Sequence, residues 1–106
     1  QFTLIAKQLK VAGMKELRDL ADQWRDKDAS DVLVLATANG GKVSLLVGTS
    51  KAAIAKGVKA GDLIKAIAPA IGGGGGGRPD MAQAGGKKPE GIPSALKQAQ
   101  EALAAK

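Results

Sequence analysis

Apolar residues recur along this chain with two different periods, which predict strands alternating with helices. Residues 1–9 alternate imperfectly between apolar and polar positions, so they are predicted to form a strand. Residues 14–24 carry apolar side chains three or four positions apart, as one buried face of a helix requires. That face comprises Met14, Leu17, Leu20, Ala21 and Trp24. The charged residues between them are interpreted as a solvated outer face.

A hairpin is predicted over residues 32–47. Residues 32–37 have the sequence Val-Leu-Val-Leu-Ala-Thr, which is typical of a central strand buried on both faces. Asn39, Gly40 and Gly41 then form a tight-turn sequence, and residues 42–47 are predicted to return as an antiparallel strand. We expect this hairpin to share one small sheet with the first strand.

Three more helices are predicted. Ser50 is expected to cap a short basic helix over residues 51–56, which ends at Gly57. Longer helices are predicted over residues 60–71 and 94–106. Their apolar faces comprise Leu63, Ile64, Ile67, Ala68 and Ile71 in the first, and Leu96, Ala99 and Leu103 in the second. At 106 residues the chain is predicted to be one α/β domain, a small mixed β-sheet with helices packed on it.

Six consecutive glycines, residues 72–77, follow the helix predicted to end at residue 71. Glycine has no side chain to bury and loses the most conformational entropy on ordering, so this run does not contribute to a core. Two interpretations stay open at this point. The run is either a flexible loop, or a loop whose bare backbone N–H groups approach a phosphate or a nucleic acid. Arg78 follows directly and suits bidentate phosphate contact.

The amino-acid composition excludes several kinds of catalytic and metal-binding site. The chain contains no cysteine and no histidine, which excludes disulfides, thiolate metal sites and histidine-based catalysis. No spacing of acidic residues supports a metal site, and no apolar run approaches the roughly 20 residues that span a membrane. Since the sequence begins at Gln1 instead of methionine, we expect residues 1–106 to be a piece excised from a longer protein.

The charge of the chain is unevenly distributed. Residues 1–31 carry six basic and six acidic side chains, whereas residues 32–106 carry ten basic and four acidic ones, so the net charge of +6 belongs to the second part. This part contains the glycine run. A basic surplus favours polyanions through counterion release, although surplus lysine also keeps a small domain soluble.

Known phosphate-binding loops do not fit the glycine run. A P-loop requires Lys-Ser or Lys-Thr directly after its glycines, but Arg78-Pro79 follows here. A dinucleotide fingerprint follows a strand and opens a helix, whereas this run follows a predicted helix. Nucleic-acid binding is better supported, and scarce aromatic residues favour recognition of folded RNA by shape and backbone. The candidate contacts are Gly72, Gly73, Gly74, Gly75, Gly76, Gly77, Arg78, Asp80, Gln83, Lys87, Lys88, Lys51, Lys56 and Lys59.

Residues 72–86 form the sequence Gly-Gly-Gly-Gly-Gly-Gly-Arg-Pro-Asp-Met-Ala-Gln-Ala-Gly-Gly, which closely resembles the glycine-rich signature near the C-terminus of alanyl-tRNA synthetases. Shorter segments at 32–37, 41–48, 50–51 and 58–64 resemble the same family in the same order. The resemblance points to the globular DHHA1-type part of the C-terminal domain (C-Ala), in its bacterial form. DHH-family phosphoesterases share this domain type, but their version typically carries a histidine where Arg78 stands.

This resemblance implies a non-catalytic tRNA-binding domain of an alanine–tRNA ligase. The resemblance implies that the domain grips the tRNA elbow, where the D and T loops meet, and that it helps link aminoacylation with editing. The implied partners are alanine-specific tRNA, the other domains of the parent synthetase and, in some members, a second copy of the chain. ATP and zinc are expected only in other domains, with no cofactor here, and the implied location is the cytoplasm without a membrane.

Two other functions remain open. The first is the nucleotide-binding subdomain of a DHH-type phosphoesterase, which predicts acidic metal ligands in an upstream domain. The second is a self-association module whose apolar surface pairs with a copy of itself.

Overall fold

A five-stranded mixed sheet lies at the centre of the molecule. The computed structural model describes residues 4–9, 13–27, 31–78 and 80–104. The strands are β1 (Leu4–Gln8), β2 (Val32–Asn39), β3 (Lys42–Thr49), β4 (Gly74–Gly77) and β5 (Met81–Gly86). The α-helices are α1 (Met14–Lys27), α2 (Lys51–Ala55), α3 (Ala60–Ile67) and α4 (Ile92–Ala104), and short 3-10 helices span Ala68–Ile71 and Pro89–Gly91.

The strands lie in the order β1-β2-β3-β5-β4. β1 pairs in parallel with β2, and all the other neighbours are antiparallel. The predicted hairpin is confirmed, with Asn39 opposite Lys42 and with positive φ angles of 58° and 82° at Gly40 and Gly41. Its second strand extends to Thr49, two residues beyond the predicted end. The predicted mixed α/β architecture is therefore confirmed.

Helices cover the sheet on both faces, which explains the continuous apolar run in β2. Leu33 and Leu35 pack in one cluster with Leu46 and with α1. Val32 and Val34 point the other way, into a larger cluster with α3 and α4. Alternate residues of a strand point to opposite faces, so a central strand covered on both sides carries apolar residues at every position.

Helix α1 differs from its prediction at one position. Leu17, Ala21 and Trp24 are buried as expected, but Leu20 is 36% exposed. Successive residues are about 100° apart around a helix, so Leu20 lies at the margin of the stripe, about 60° from Leu17. The side chain of Met14, also predicted in the stripe, lies outside the described residues.

The ends of three predicted helices are corrected. The helix predicted over residues 60–71 is α-helical only to Ile67 and continues as a 3-10 turn that contains Pro69, since proline cannot donate the interior helical hydrogen bond. The short helix predicted over 51–56 ends at Ala55, with Lys56 as its C-cap. The last helix begins at Ile92, two residues before its predicted start. None of the described helices is long and apolar enough to cross a lipid bilayer.

Ser50 caps α2 as predicted. Its Oγ accepts a hydrogen bond from the backbone N–H of Ala53 at 3.2 Å. We expect Ser50→Ala to lower the free energy of unfolding by about 1 kcal/mol, because that N–H loses its protein acceptor. Chemical denaturation measures the change, and Ser50→Asp, which keeps a capping oxygen, serves as the control. Equal losses in both variants would contradict the cap.

Candidate nucleic-acid interface

Four of the six glycines, Gly74–Gly77, form an edge strand, so the sequence-based expectation of a loop over the whole run is wrong. Gly74 pairs with Gly85 and Gly77 with Ala82, and the backbone N–H of Arg78 continues the ladder to the Met81 carbonyl at 3.0 Å. Glycine disfavours strands because it loses much entropy and packs no side chain. The strand forms nevertheless because β5 supplies a complete ladder along its inner edge. Residues 72–77 are called the glycine ribbon below.

Odd-numbered positions of the ribbon admit no side chain. A β-carbon placed on Gly75 would lie 2.6 Å from both Cα and Cβ of Ala84, and one on Gly77 would lie 2.7 Å from the Met81 carbonyl oxygen. At Gly73 a β-carbon would overlap the Gly85 carbonyl. These contacts are shorter than van der Waals separation, so glycine at the odd positions is what lets the ribbon close on β5.

Even-numbered positions of the ribbon have a different environment. Gly72 adopts a left-handed conformation with φ of 71°, and the aliphatic stem of Lys88 lies across it. Nothing lies within 4 Å of a β-carbon placed on Gly74. A β-carbon on Gly76 would meet only Cε of Lys65, at 3.8 Å, which is an ordinary van der Waals contact. Sterics therefore leave room for side chains at Gly74 and Gly76. Gly74 is exposed and presents bare backbone, whereas Gly76 is half-buried with the Lys65 stem beside it.

Basic residues lie at both ends of the ribbon. At its start, the backbone N–H groups of Lys87 and Lys88 both donate to the Ile71 carbonyl at 2.9 Å, which fixes these lysines beside Gly72. At its far end Arg78 is 78% exposed, and its Nε lies 3.6 Å from Oδ1 of Asp80. An exposed ion pair at this distance stabilises a fold by at most about 1 kcal/mol, so Arg78 can exchange its partner at little cost.

The tip of the β4–β5 hairpin is hydrogen-bonded to the last residue of β3, shortly before α2 begins. The backbone N–H of Thr49 donates to the Asp80 carbonyl at 3.0 Å, one residue before the Ser50 cap. Lys51 therefore begins α2 near the Arg78 end of the ribbon. Pro79, in the same turn, lies outside the described residues.

The other predicted contacts are distributed more widely. Gln83 is half-buried and lies opposite Gly76 in the ladder, so it is next to the bare backbone. Lys59 is exposed and precedes α3, at the rim of an apolar cleft between α3 and α4 that Leu63 and Leu103 also line. Lys56 is exposed at the end of α2. The structure thus groups Arg78, Asp80, Gln83, Lys87 and Lys88 along one hairpin, whereas the predicted contacts Lys51, Lys56 and Lys59 belong to other elements.

Trp24 is unavailable for base stacking. It is only 7% exposed, and a β-carbon on Gly48 would lie 3.0 Å from its Cζ3, so the indole ring covers β3. Within the described ranges, no group of three acidic residues is placed to hold a metal ion. The interface that these residues can form therefore uses backbone and cations, without an aromatic platform.

One cation beside the ribbon, Lys65, is absent from the sequence-based candidates. Its position at 3.8 Å from the Gly76 β-carbon site depends on β4 lying against α3. No local motif signals this, because residue 65 is an ordinary exposed lysine of an amphipathic helix in the sequence. Only its spacing of four residues from Gly61, a glycine in the first turn of the predicted helix, indicates a close approach on that helix face.

The DHHA1 domain family model matches residues 1–105 of this chain. The chain belongs to the DHHA1 domain family. The fold of this DHHA1 domain is similar to the crystal structure of the C-Ala domain from Aquifex aeolicus alanyl-tRNA synthetase. The TM-score is 0.85 and the identity 39%, over 94% of this chain and 89% of that chain. The resemblance found in the sequence is thereby confirmed.

Curated relatives of this DHHA1 domain are also similar along nearly the whole chain. The alanine–tRNA ligase of Latilactobacillus sakei subsp. sakei is 67% identical over 98% of the chain, and that of Ligilactobacillus salivarius is 67% identical over 95%. In both cases the chain spans about 12% of the relative's length. It therefore corresponds to one domain of proteins that are much longer.

Proposed function

We propose that this DHHA1 domain is the non-catalytic tRNA-binding domain of a cytoplasmic alanine–tRNA ligase. In this proposal the domain grips the elbow of alanine-specific tRNA and helps link aminoacylation with editing in other domains of its parent. The observation that carries the proposal is the glycine ribbon itself. Its even positions are bare although two of them have room for side chains, and basic residues flank it at both ends.

The shape and charge of this hairpin suit a phosphate backbone better than they suit unstacked bases. Bare peptide groups permit close approach, and Arg78, Lys87 and Lys88 provide positive charge at the two ends of the hairpin. Gln83, next to the bare backbone, supplies an amide that can donate to a base edge or a ribose hydroxyl. Because the indole of Trp24 is buried, recognition by shape is favoured over recognition by stacking.

The relatives reported above are named alanine–tRNA ligases, which favours the synthetase over the phosphoesterase alternative. A phosphoesterase subdomain also predicts nucleotide binding with divalent metal. Comparing a tRNA with a mononucleotide in the same titration therefore separates the two functions.

Removing the Arg78 guanidinium tests the interface. We expect Arg78→Ala to weaken tRNA binding by about fivefold to tenfold near 100 mM salt, and to reduce the slope of log affinity against log salt by about one. Fluorescence anisotropy over a salt series measures both quantities. Lys97→Ala, on the exposed side of α4, is the matched control because it removes one charge away from the hairpin. Unchanged affinity and slope in Arg78→Ala would remove this residue from the interface.

A further inference from the structure

Lys65 lies over Gly76, between the two charged ends of the glycine ribbon. Its Cε would be 3.8 Å from a β-carbon on Gly76, so the lysine stem runs beside the ribbon backbone. The stem of Lys88 lies over Gly72 in the same manner, and Gly74 between them is open. Among the even positions, Lys88 thus lies over the first, nothing lies over the second and Lys65 lies over the third. Arg78 follows the ribbon directly.

Packing of α3 on the ribbon fixes Lys65 in this place. A β-carbon on Gly61 would lie 3.1 Å from the Gly77 carbonyl oxygen, so this part of α3 directly abuts β4. Residues four apart share one face of a helix, and Lys65 therefore stands on the same face as Gly61. Since Lys65 is exposed, its stem follows the ribbon while its ammonium group stays in solvent.

We propose that Lys65 binds a phosphate of the polynucleotide that lies across the glycine ribbon. The inference rests on the proposed RNA-binding function and adds a contact in the middle of the site. β4 rises about 3.3 Å per residue, so Gly74 and Gly77 are about 10 Å apart, with Lys88 beyond one end of this span and Arg78 beyond the other. Lys88 and Arg78 alone leave the centre of that span uncharged. Lys65 fills the gap, and the missing side chain at Gly76 leaves its ammonium reachable from the ribbon surface.

A purely structural role for Lys65 is the alternative to exclude. The residue occupies the last turn of α3, where a cation interacts favourably with the helix dipole. Such a role affects thermal stability and leaves RNA affinity unchanged. A phosphate contact has the opposite signature, because an exposed lysine contributes little to stability but releases counterions when it binds RNA.

The test uses the 106-residue chain with alanine-specific tRNA, and compares Lys65→Gln, Lys65→Arg and Lys97→Gln. We expect Lys65→Gln to weaken binding about threefold to tenfold near 100 mM salt and to lower the salt slope by about one. Lys65→Arg should restore the slope because it restores the charge. Lys97→Gln makes the same change in net charge on α4 and should remain within about twofold of the parent. Melting temperatures of all variants are measured in parallel.

The outcomes separate this inference from the function on which it rests. If the unsubstituted 106-residue chain binds tRNA, and Lys65→Gln matches Lys97→Gln in affinity and salt slope, then Lys65 is not a contact. The proposed function still stands in that case. If Lys65→Gln lowers the melting temperature and leaves the slope unchanged, its role is at the helix terminus and the inference is overturned. If the unsubstituted 106-residue chain shows no salt-dependent tRNA binding, both the proposed function and this inference are overturned.

Discussion

Replacing Gly75 by alanine is expected to destabilise the domain by about 2–4 kcal/mol, because the new methyl group has no space. It would lie 2.6 Å from Cα and Cβ of Ala84, and Ala84 is itself buried in the main core. Relief requires β4 to move away from β5, which breaks ladder hydrogen bonds. It also shifts a strand against which α3 packs. Backbone torsion is not the cause, since Gly75 is not among the glycines with positive φ.

Urea denaturation measures this loss, and Gly74→Ala is the matched control. Both substitutions add one methyl group to the same strand and restrict the unfolded chain equally, an effect worth about 0.4–1 kcal/mol in favour of folding. Gly74 has open space at its β-carbon position, so its variant should stay within about 1 kcal/mol of the parent. A similar urea midpoint for the two variants would mean that the odd positions of the ribbon are not closed on β5.

The layered fold could be predicted because its signals are local and redundant. Apolar residues at every position from Val32 to Ala36, followed by a turn sequence with two glycines, leave few alternatives to a central hairpin. Helical periodicity identified α1, α3 and α4 with errors of a few residues at their ends. The wrong burial of Leu20 shows the limit of such patterns. A stripe predicts which side of a helix is inward, but the width of the covered surface depends on the neighbouring strands.

The state of the glycine run could not be predicted, because it depends on a partner that is distant in the fold instead of on its own sequence. Six glycines have no strand propensity and no period. Gly74–Gly77 become a strand because β5 carries small residues opposite them, Ala82, Ala84 and Gly85 among them, and so allows the two backbones to approach. The low strand propensity of glycine favoured a loop, but hydrogen bonding to β5 across the hairpin outweighs that propensity.

The residues of the proposed site were predictable to different degrees for the same reason. Arg78, Lys87 and Lys88 adjoin the ribbon in the sequence, so proximity along the chain revealed them. Lys65 belongs to another element and reaches the ribbon only through the packing of α3. Conversely, Lys56 and Lys59 contribute to the same surplus of charge but lie outside the hairpin. Net charge identifies a class of partner, whereas tertiary packing decides which cations face that partner.

The odd and even positions of the ribbon satisfy separate demands, and this explains why the run is unbroken. Gly73, Gly75 and Gly77 are required by the fold, since any β-carbon there meets β5. Gly74 and Gly76 are not, since each tolerates a β-carbon. Glycine at these two positions loses more conformational entropy on folding than a residue with a side chain would, and no packing contact offsets that loss. A ligand that must approach the backbone closely provides the missing reason, and substitution at Gly74 tests it directly.

Gly74→Asp is expected to weaken tRNA binding at least about tenfold near 100 mM salt while the domain remains folded. The side chain has room, so its effect arises at the surface. There it places a carboxylate between Lys88 and Lys65, where the proposed interface requires a phosphate, and like charges at such contacts cost several kcal/mol. Part of the loss is also steric, because any side chain holds the polynucleotide away from the ribbon backbone.

Two control variants separate the effect of a carboxylate at position 74 from the effects of side-chain size and of the lower net charge of the chain. Gly74→Asn has nearly the shape of the aspartate variant without its charge, so its smaller loss measures bulk alone. Lys97→Gln lowers the net charge by one, as Gly74→Asp does, but on the exposed side of α4, and should bind within about twofold of the parent. The difference between Asp and Asn should shrink as salt rises, since salt screens the repulsion. If Gly74→Asp binds tRNA as tightly as Lys97→Gln at low salt, the bare face of the ribbon does not meet the polyanion. The open position at Gly74 would then need another explanation.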